Sequence, residues 1–171
     1  LAAQAICIDS GGHYTNAVYA FCKANEHKRI FAVKGFAGEG KPVIIRSSRN
    51  NIGRVRLFNV GVDTAKTLLY NRLRINEEGP GYCHFPSHYG QEYFEGLTAE
   101  KIVPKYSKGF SKKEFQKIRK HNEPLDCRVY AMAALSLLNV NLVTWKARFL
   151  QTHKPIIEQK PVALLSPGKK V

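Results

Sequence analysis

Short apolar runs and one helical stripe organise the start of the chain. Residues 6–8 form an apolar run that predicts a strand, and residues 14–23 place apolar side chains at helical spacing. The run RIFAVK at residues 29–34 predicts a second strand. A strand, a helix and a strand in this order predict a βαβ unit, whose strands are parallel and whose crossover is right-handed.

The same periodicities predict the elements of the remaining chain. They are a strand at 55–60, a helix at 65–73, a short strand at 82–85, a short helix at 91–97, a hairpin within 99–117 and an alanine-rich helix at 125–138. Pro124 suits the first position of the last helix, because proline lacks the N–H that a first turn leaves unpaired. Strands mixed with helices predict an α/β fold.

Residues 35–41, GFAGEGK, match the phosphate-loop pattern G-x-x-x-x-G-K. Pro42 stands where that motif needs a Ser or Thr for Mg²⁺, and the apolar residues 43–45 continue as extended chain instead of a helix. The stretch therefore predicts a flexible glycine-rich loop, and we reject a phosphate-loop role for it.

Composition narrows the class of partner. The 171 residues include 27 Lys and Arg against 13 Asp and Glu, which gives a formal net charge of +14, and 44% are hydrophobic. The hydrophobic content is typical of one globular domain, and the charge favours a polyanionic partner, above all nucleic acid. The alternative is a basic domain whose charge only keeps it soluble.

Basic side chains concentrate in two stretches. Residues 41–56 contain five basic side chains and no acid, and residues 100–120 contain eight against two glutamates. Such runs are usually solvated loops, but serines and asparagines in the first stretch add further donors for phosphate oxygens. The candidate DNA-binding residues in the two stretches are Lys41, Arg46, Arg49, Arg54, Lys112 and Lys113.

Cysteines and hydropathy indicate the compartment. The four cysteines lie far apart without a C-x-x-C pair, and their apolar neighbours predict reduced core cysteines of a cytosolic protein. No apolar run approaches the roughly 20 residues of a membrane span, and no signal peptide is visible. The chain begins at Leu1 instead of methionine, so we expect it to be part of something longer.

Asp9 follows the first predicted strand and precedes a glycine pair. In a mostly parallel α/β fold, ligands and chemistry collect at the C-terminal edge of the strands. A carboxylate at this edge is a metal ligand, a catalytic group or a turn-former, and Asp-Ser-Gly-Gly is also a good turn sequence. The residues alone leave these alternatives open.

Glu123 and Asp126 are three residues apart and therefore share one face at the start of the alanine-rich helix. Acids in a first turn also complement the helix dipole, which explains an exposed acid better than an inward one. If Asp9 and Asp126 converge, the pair is repulsive unless a proton or a cation resolves it. Mg²⁺ binds such carboxylates together with phosphate oxygens, and two ions would activate a water and stabilise the leaving oxygen of a phosphodiester.

Six segments carry a family resemblance: IDSGGH before a helix, FAVKG, LFNVGVDTAKTLLYNRL, GPGYCHFP, EYFEGLTAE and NEPLDCRVYAMAAL. In this order they resemble the nuclease domain of lambda-type phage terminase large subunits, over roughly residues 5 to 138. The resemblance implies an RNase H-like mixed sheet flanked by helices. It also implies an endonuclease that depends on Mg²⁺ or Mn²⁺, with a two-metal site, and that cuts concatemeric double-stranded DNA during genome packaging.

The resemblance also implies roles for single residues. Asp9 resembles the acid at the end of the fourth strand and Asp126 the acid of the last helix, while Glu123 would bind metal or position water. Lys34 and Lys66 would face phosphate.

One departure from the family concerns the start of the chain. RNase H-like nucleases carry a further aspartate on a first strand, and only five residues precede this strand, so we expect the first strands and one metal ligand to be missing. Asp63 is a possible substitute, although its position favours a helix N-cap.

These observations predict a nuclease domain at residues 1–145 and a basic, loosely structured tail at 146–171. By the resemblance, the partners are DNA, an ATPase domain, a terminase small subunit and the capsid portal, in the host cytoplasm and without a membrane. A different class of function is a non-catalytic DNA-binding or assembly module, which needs no metal. A third alternative is another RNase H-like enzyme, such as a resolvase or integrase, which prefers branched or end-specific substrates.

Overall fold

The computed structural model describes residues 3–49, 53–107, 109–139, 141 and 143–147. The strands are β1 (Ile6–Asp9), β2 (Ile30–Phe36), β3 (Ile44–Arg49), β4 (Arg56–Gly61), β5 (Glu100–Ser107) and β6 (Phe110–Lys117). The helices are α1 (Thr15–Ala24), α2 (Val62–Leu73), α3 (Gln91–Leu97) and α4 (Glu123–Leu138), with a short 3-10 turn at Glu26–Lys28.

A four-stranded mixed sheet forms the centre, in the order β1-β2-β4-β3. β1, β2 and β4 are parallel to one another, whereas β3 runs antiparallel to β4. The predicted βαβ unit and the predicted mixed sheet flanked by helices are confirmed. The carboxyl ends of the three parallel strands meet at one edge, where Asp9, Lys34 and the start of α2 lie.

Helices cover both faces of the sheet because neighbouring strand residues point to opposite sides. On β2, Ala32 belongs to a small cluster with Cys22 of α1, whereas Val33 belongs to the main core. That main core includes Leu69 of α2 together with Leu125 and Val129 of α4. The burial of these positions packs α4 against the face of the sheet to which Val33 points, and Asp9 pairs in register with Val33.

β5 and β6 form a separate two-stranded hairpin, as predicted. Its base is attached to α2, where the rings of Tyr70 and Phe115 meet edge to face with centroids 5.9 Å apart. The tip of the hairpin carries Lys105, cross-strand from Lys112, and the 76%-exposed Tyr106. The hairpin is therefore a basic arm with an anchored base.

Two glycines allow close packing next to the site. A Cβ on Gly61, at the junction of β4 and α2, would clash with the backbone carbonyls of Lys41 and Pro42. A Cβ on Gly96 would stand 2.7 Å from Cγ of Pro124, so this glycine lets α3 seat the first turn of α4. That seat fixes where Glu123 and Asp126 lie.

Several sequence predictions were wrong. Residues 82–85 form no strand. The Tyr82 ring packs on His84 and the Phe85 ring on Tyr93 of α3, instead of standing along a paired strand. The basic stretch 41–56 is only partly a loop, since β3 occupies its middle and pairs with β4. Asp63 is not the N-cap of α2, because the helix begins at Val62 and Gly61 holds the cap position.

The chain divides into two compact units, residues 1–139 and 140–171. In the second unit the described residues are 141 and 143–147, and the latter are helical. Residues 148–171 of the predicted tail lie outside the described residues, so the domain boundary near 145 stays a prediction. Within the described part of the chain, no helix is long and apolar enough to cross a membrane.

Candidate functional site

Asp9 and Asp126 line the same groove, between β1 and α4. The groove has a volume of about 510 Å³, and its floor is apolar, formed by the side chains of β1 and by Ala131 and Ala134 of α4. The predicted convergence of the two acids is therefore present in the structure. It results from α4 packing across the sheet with its first turn beside the carboxyl end of β1.

The position of Asp9 is set by the turn that follows β1. Its Oδ1 accepts a hydrogen bond of 2.9 Å from the Gly11 N–H, so it is a turn-former as well as an exposed acid. The buried Ser10 extends the pairing with β2, since both its N–H and its hydroxyl donate to the Val33 carbonyl, at 2.9 and 2.8 Å. The turn-former interpretation of Asp9 is confirmed, and its carboxylate also lines the groove, where its roles as a metal ligand or catalytic group stay predictions.

Tyr130 lines the groove together with the two acids. It lies one helical turn beyond Asp126. Burial, followed by the negative charges of Asp9 and Asp126, raises the pKa of this phenol far above its usual value, so the hydroxyl stays protonated. Gly35 of β2 leaves room for it, because a Cβ there would stand 3.1 Å from the Tyr130 hydroxyl.

Asp126 is half-buried and is held by Asn122, whose Nδ2 donates a 3.0 Å hydrogen bond to its Oδ2. Burial is the main cause that raises the pKa of Asp126, and the charges of Glu100 and Asp9 raise it further. The ammonium groups of Lys66 and Lys117 act in the opposite direction. The two groove acids therefore repel each other, which is the electrostatic condition for cation binding.

The sequence did not identify Glu100 as a residue of the site. The prediction that its partner Lys66 faces phosphate was wrong. Both residues are 8% exposed, and Lys66 Nζ lies 2.7 Å from Glu100 Oε2. Lys66 is thus engaged in a buried ion pair and is not an exposed cation of the DNA-binding surface. The signal for Glu100 is the period of the hairpin, since it shares a face with Ile102, which lines a cavity against α2.

Glu123 lies at the rim of the groove, whereas the alternation along β2 points Lys34 to the other face of the sheet. Glu123 is fully exposed at the rim, where a hydrogen bond from its own backbone N–H is the main cause that lowers its pKa. His121 Nδ1 lies 3.7 Å from its Oε2. Lys34 is exposed on β2, directly after Val33, the residue that pairs in register with Asp9.

The two basic stretches meet in space. Lys41, from the loop after β2, lines one cavity of about 540 Å³ together with Lys105, Lys112 and Lys113 of the hairpin. Arg49 on β3 and Arg54 are exposed as well. Arg46 lies on β3, and its side chain is outside what the structure describes.

Asp63 points away from the groove. Its Oδ2 accepts a 2.7 Å hydrogen bond from the Gly38 N–H, and it lines the basic cavity instead. It is therefore no substitute for a missing ligand beside Asp9, and it serves to hold the loop at residues 37–41 against α2. Among the residues that the structure describes, no three His, Cys, Asp or Glu side chains form a metal-binding group.

The raised pKa of Asp126 predicts how the protein responds to pH in the absence of metal. The pKa of Asp126 is higher in the folded state than in the unfolded state, so stability falls as pH rises from the unfolded pKa through the folded one. Asp126→Asn removes the charge that causes this loss and should therefore raise the thermal midpoint at pH 7. Asparagine keeps an Oδ1 acceptor for Asn122. The gain should shrink as pH falls towards 3.8, the ordinary pKa of aspartate, because the folded carboxyl is then protonated and the unfolded one increasingly so.

Thermal unfolding in EDTA between pH 4 and pH 8 measures this effect, with Glu78→Gln, an exposed acid outside the groove, as the control. A lower midpoint for Asp126→Asn at pH 7 would show that its charge stabilises the metal-free fold.

The chain is similar to phage terminases. The family described as terminase large subunit gpA, endonuclease domain, matches residues 1–146. The terminase large subunit of Escherichia phage lambda is 37% identical over 139 residues, which cover 77% of this chain and 22% of that protein. The terminase large subunit of Enterobacteria phage P21 is 34% identical over 170 residues, covering 90% of this chain and 26% of that protein. The chain thus spans about a quarter of the length of these relatives, and no solved structure matches it.

Proposed function

The chain belongs to the family of terminase large subunit gpA endonuclease domains, and from this membership we propose that it is a metal-dependent endonuclease that cuts concatemeric double-stranded DNA during genome packaging. The observation that carries the proposal is the groove in which Asp9 and Asp126 meet. Acids from two elements at one strand edge are suited to metal-assisted phosphodiester hydrolysis.

A hard divalent cation, Mg²⁺ or Mn²⁺, fits the donor set of this groove. Asp9 and Asp126 would hold it, and Glu123 at the rim would bind the ion or orient a water. When bound, such an ion activates water and stabilises the leaving oxygen of the phosphodiester. Two groove carboxylates suit one ion, and the two-metal site that the resemblance implies needs further ligands from phosphate, water or residues elsewhere.

The other side chains of the site would position acid and substrate. Tyr130 lines the groove beside Asp9, where its protonated hydroxyl would donate to that carboxylate and limit the rotation of the side chain. Lys34 is exposed on β2 next to Val33, the register partner of Asp9, but its side chain points to the α1 face of the sheet, so its role towards phosphate stays a prediction.

The basic arm supports duplex binding. At the base of the arm, Lys117 Nζ lies 2.6 Å from Asn122 Oδ1, so the arm begins next to Asp126. Lys112 and Lys113 lie farther along the same strand. Five residues of extended chain span about 17 Å, roughly half a helical turn of DNA. A duplex whose backbone follows the arm would therefore present a phosphate near the groove.

The family also suggests partners. We propose that an ATPase domain, a terminase small subunit and the capsid portal act together with this domain in the host cytoplasm.

The test is DNA cleavage by the full chain with and without metal. Supercoiled plasmid and linear duplex should be cut in Mg²⁺ or Mn²⁺, and EDTA should abolish the cutting while DNA binding persists. Binding without cleavage under every metal condition would support the non-catalytic DNA-binding or assembly module. Strong preference for a four-way junction over linear duplex would support a resolvase-like enzyme.

A further inference from the structure

Asn122 occupies the N-cap position of α4, yet its side chain does not cap the helix. Asparagine is among the preferred N-cap residues because its side-chain oxygen accepts a hydrogen bond from the N–H groups of the first turn. No such bond is made here. The amide is therefore used for something other than helix stability.

Three hydrogen bonds of this amide point at charged groups. Nδ2 donates to Glu100 Oε1 and to Asp126 Oδ2, each at 3.0 Å, and Oδ1 accepts from Lys117 Nζ at 2.6 Å. A flipped amide would set its oxygen against two carboxylates and its hydrogens against an ammonium. The charges thus fix one orientation of the amide, with one N–H directed at Asp126.

Glu100 is itself immobilised. Its other oxygen, Oε2, is paired with the buried Lys66, and the Tyr70 hydroxyl donates to its backbone carbonyl at 2.8 Å. Glu100 and Lys117 are cross-strand partners at the base of the hairpin. Two residues of the arm therefore hold Asn122, and Asn122 holds Asp126.

We propose that Asn122 is a positioning residue for metal binding: it orients the Asp126 carboxylate towards the groove and is locked in place by Glu100 and Lys117. The inference rests on the proposed function, because it concerns the ion that Asp9 and Asp126 would share. Side chains that orient a ligand typically contribute ten- to hundredfold to metal affinity or activity. Asn122 contacts no reacting group, so its effect has to pass through Asp126.

The primary experiment measures Mn²⁺ affinity of the full chain by electron paramagnetic resonance or calorimetry. Asn122→Ala should weaken Mn²⁺ binding by about ten- to hundredfold and raise the metal concentration for half-maximal cleavage equally. DNA affinity in EDTA should stay at the wild-type value. Asn71→Ala, an exposed asparagine on α2, is the matched control and should leave both quantities unchanged.

Lys117→Met provides a second variant that keeps both carboxylate contacts of Asn122. Lys117 is exposed, so the substitution should not prevent folding, and it removes the charge that holds Oδ1, so that only the two carboxylates still orient the amide. We expect a smaller loss of Mn²⁺ affinity in the same direction. If Asn122→Ala does not fold, Lys117→Met carries the test alone.

The outcomes separate the inference from the proposed function. Wild-type Mn²⁺ affinity in both variants, with or without a lower thermal midpoint, would overturn the positioning role and leave the metal site intact. A wild-type chain that binds no Mn²⁺ would overturn the metal site and the inference together.

Discussion

Replacement of either groove acid with alanine should reduce metal-dependent DNA cleavage by more than about a hundredfold, since the loss of a side chain that merely orients a ligand already costs ten- to hundredfold. Asp9 and Asp126 are the acids that β1 and α4 bring to one groove: Asp9→Ala leaves no carboxylate of β1 in it, and Asp126→Ala leaves only Glu123 at its rim from α4. Duplex affinity in EDTA should stay equal or rise, because each change removes a negative charge.

Mn²⁺-induced stabilisation gives an independent readout of the same prediction. An ion at a hundred times its dissociation constant stabilises the folded state by about 2.7 kcal/mol, and Asp9→Asn should remove most of that gain. Glu77→Ala, an exposed acid outside the groove, serves as the control and should behave as wild type. Undiminished cleavage by Asp9→Ala would remove Asp9 from the site.

Duplex affinity should fall about a thousandfold between roughly 50 and 200 mM salt, if the chain contacts about six phosphates. The physical cause is counterion release by the cations that the structure gathers between the loop after β2 and the hairpin. The double substitution of Lys112 and Lys113 by glutamine should lower the slope of log affinity against log salt by about two.

Lys23→Gln is the matched control for that measurement. Lys23 is exposed in the last turn of α1, on the opposite face of the sheet from the main core. Its substitution should leave the slope unchanged. An affinity that stays flat over the salt range would exclude the basic arm as a phosphate-binding surface. Fluorescence anisotropy with a labelled duplex measures both quantities.

Periodicity predicted the parts of the fold whose apolar residues recur at a regular spacing, every second residue in a strand or every three to four in a helix. The βαβ unit, the hairpin and α4 follow from apolar patterns that the sheet and core bury. The stretch at residues 82–85 has the composition of a strand, but the Phe85 ring packs on Tyr93 and Phe94 of α3, a tertiary contact that no local pattern contains.

The groove acids were predictable because each stands at an element boundary where function is common. The partners of these acids were not. Tyr130, Asn122 and Glu100 have ordinary interpretations as a core aromatic, a helix cap and a solvated acid. Their roles depend on the distances between elements, such as the 3.0 Å contact from Asn122 to Asp126, which sequence spacing does not give.

The distance in sequence between the two groove acids has a consequence for gene exchange among related phages. Asp9 and Asp126 are 117 residues apart (126 − 9), so a recombination crossover between their codons joins β1 from one parent to α4 from the other. Such a hybrid keeps its site only if the helix of one parent packs on the strand of the other. A crossover beyond Asn139 takes both acids, and every contact that holds them, from a single parent.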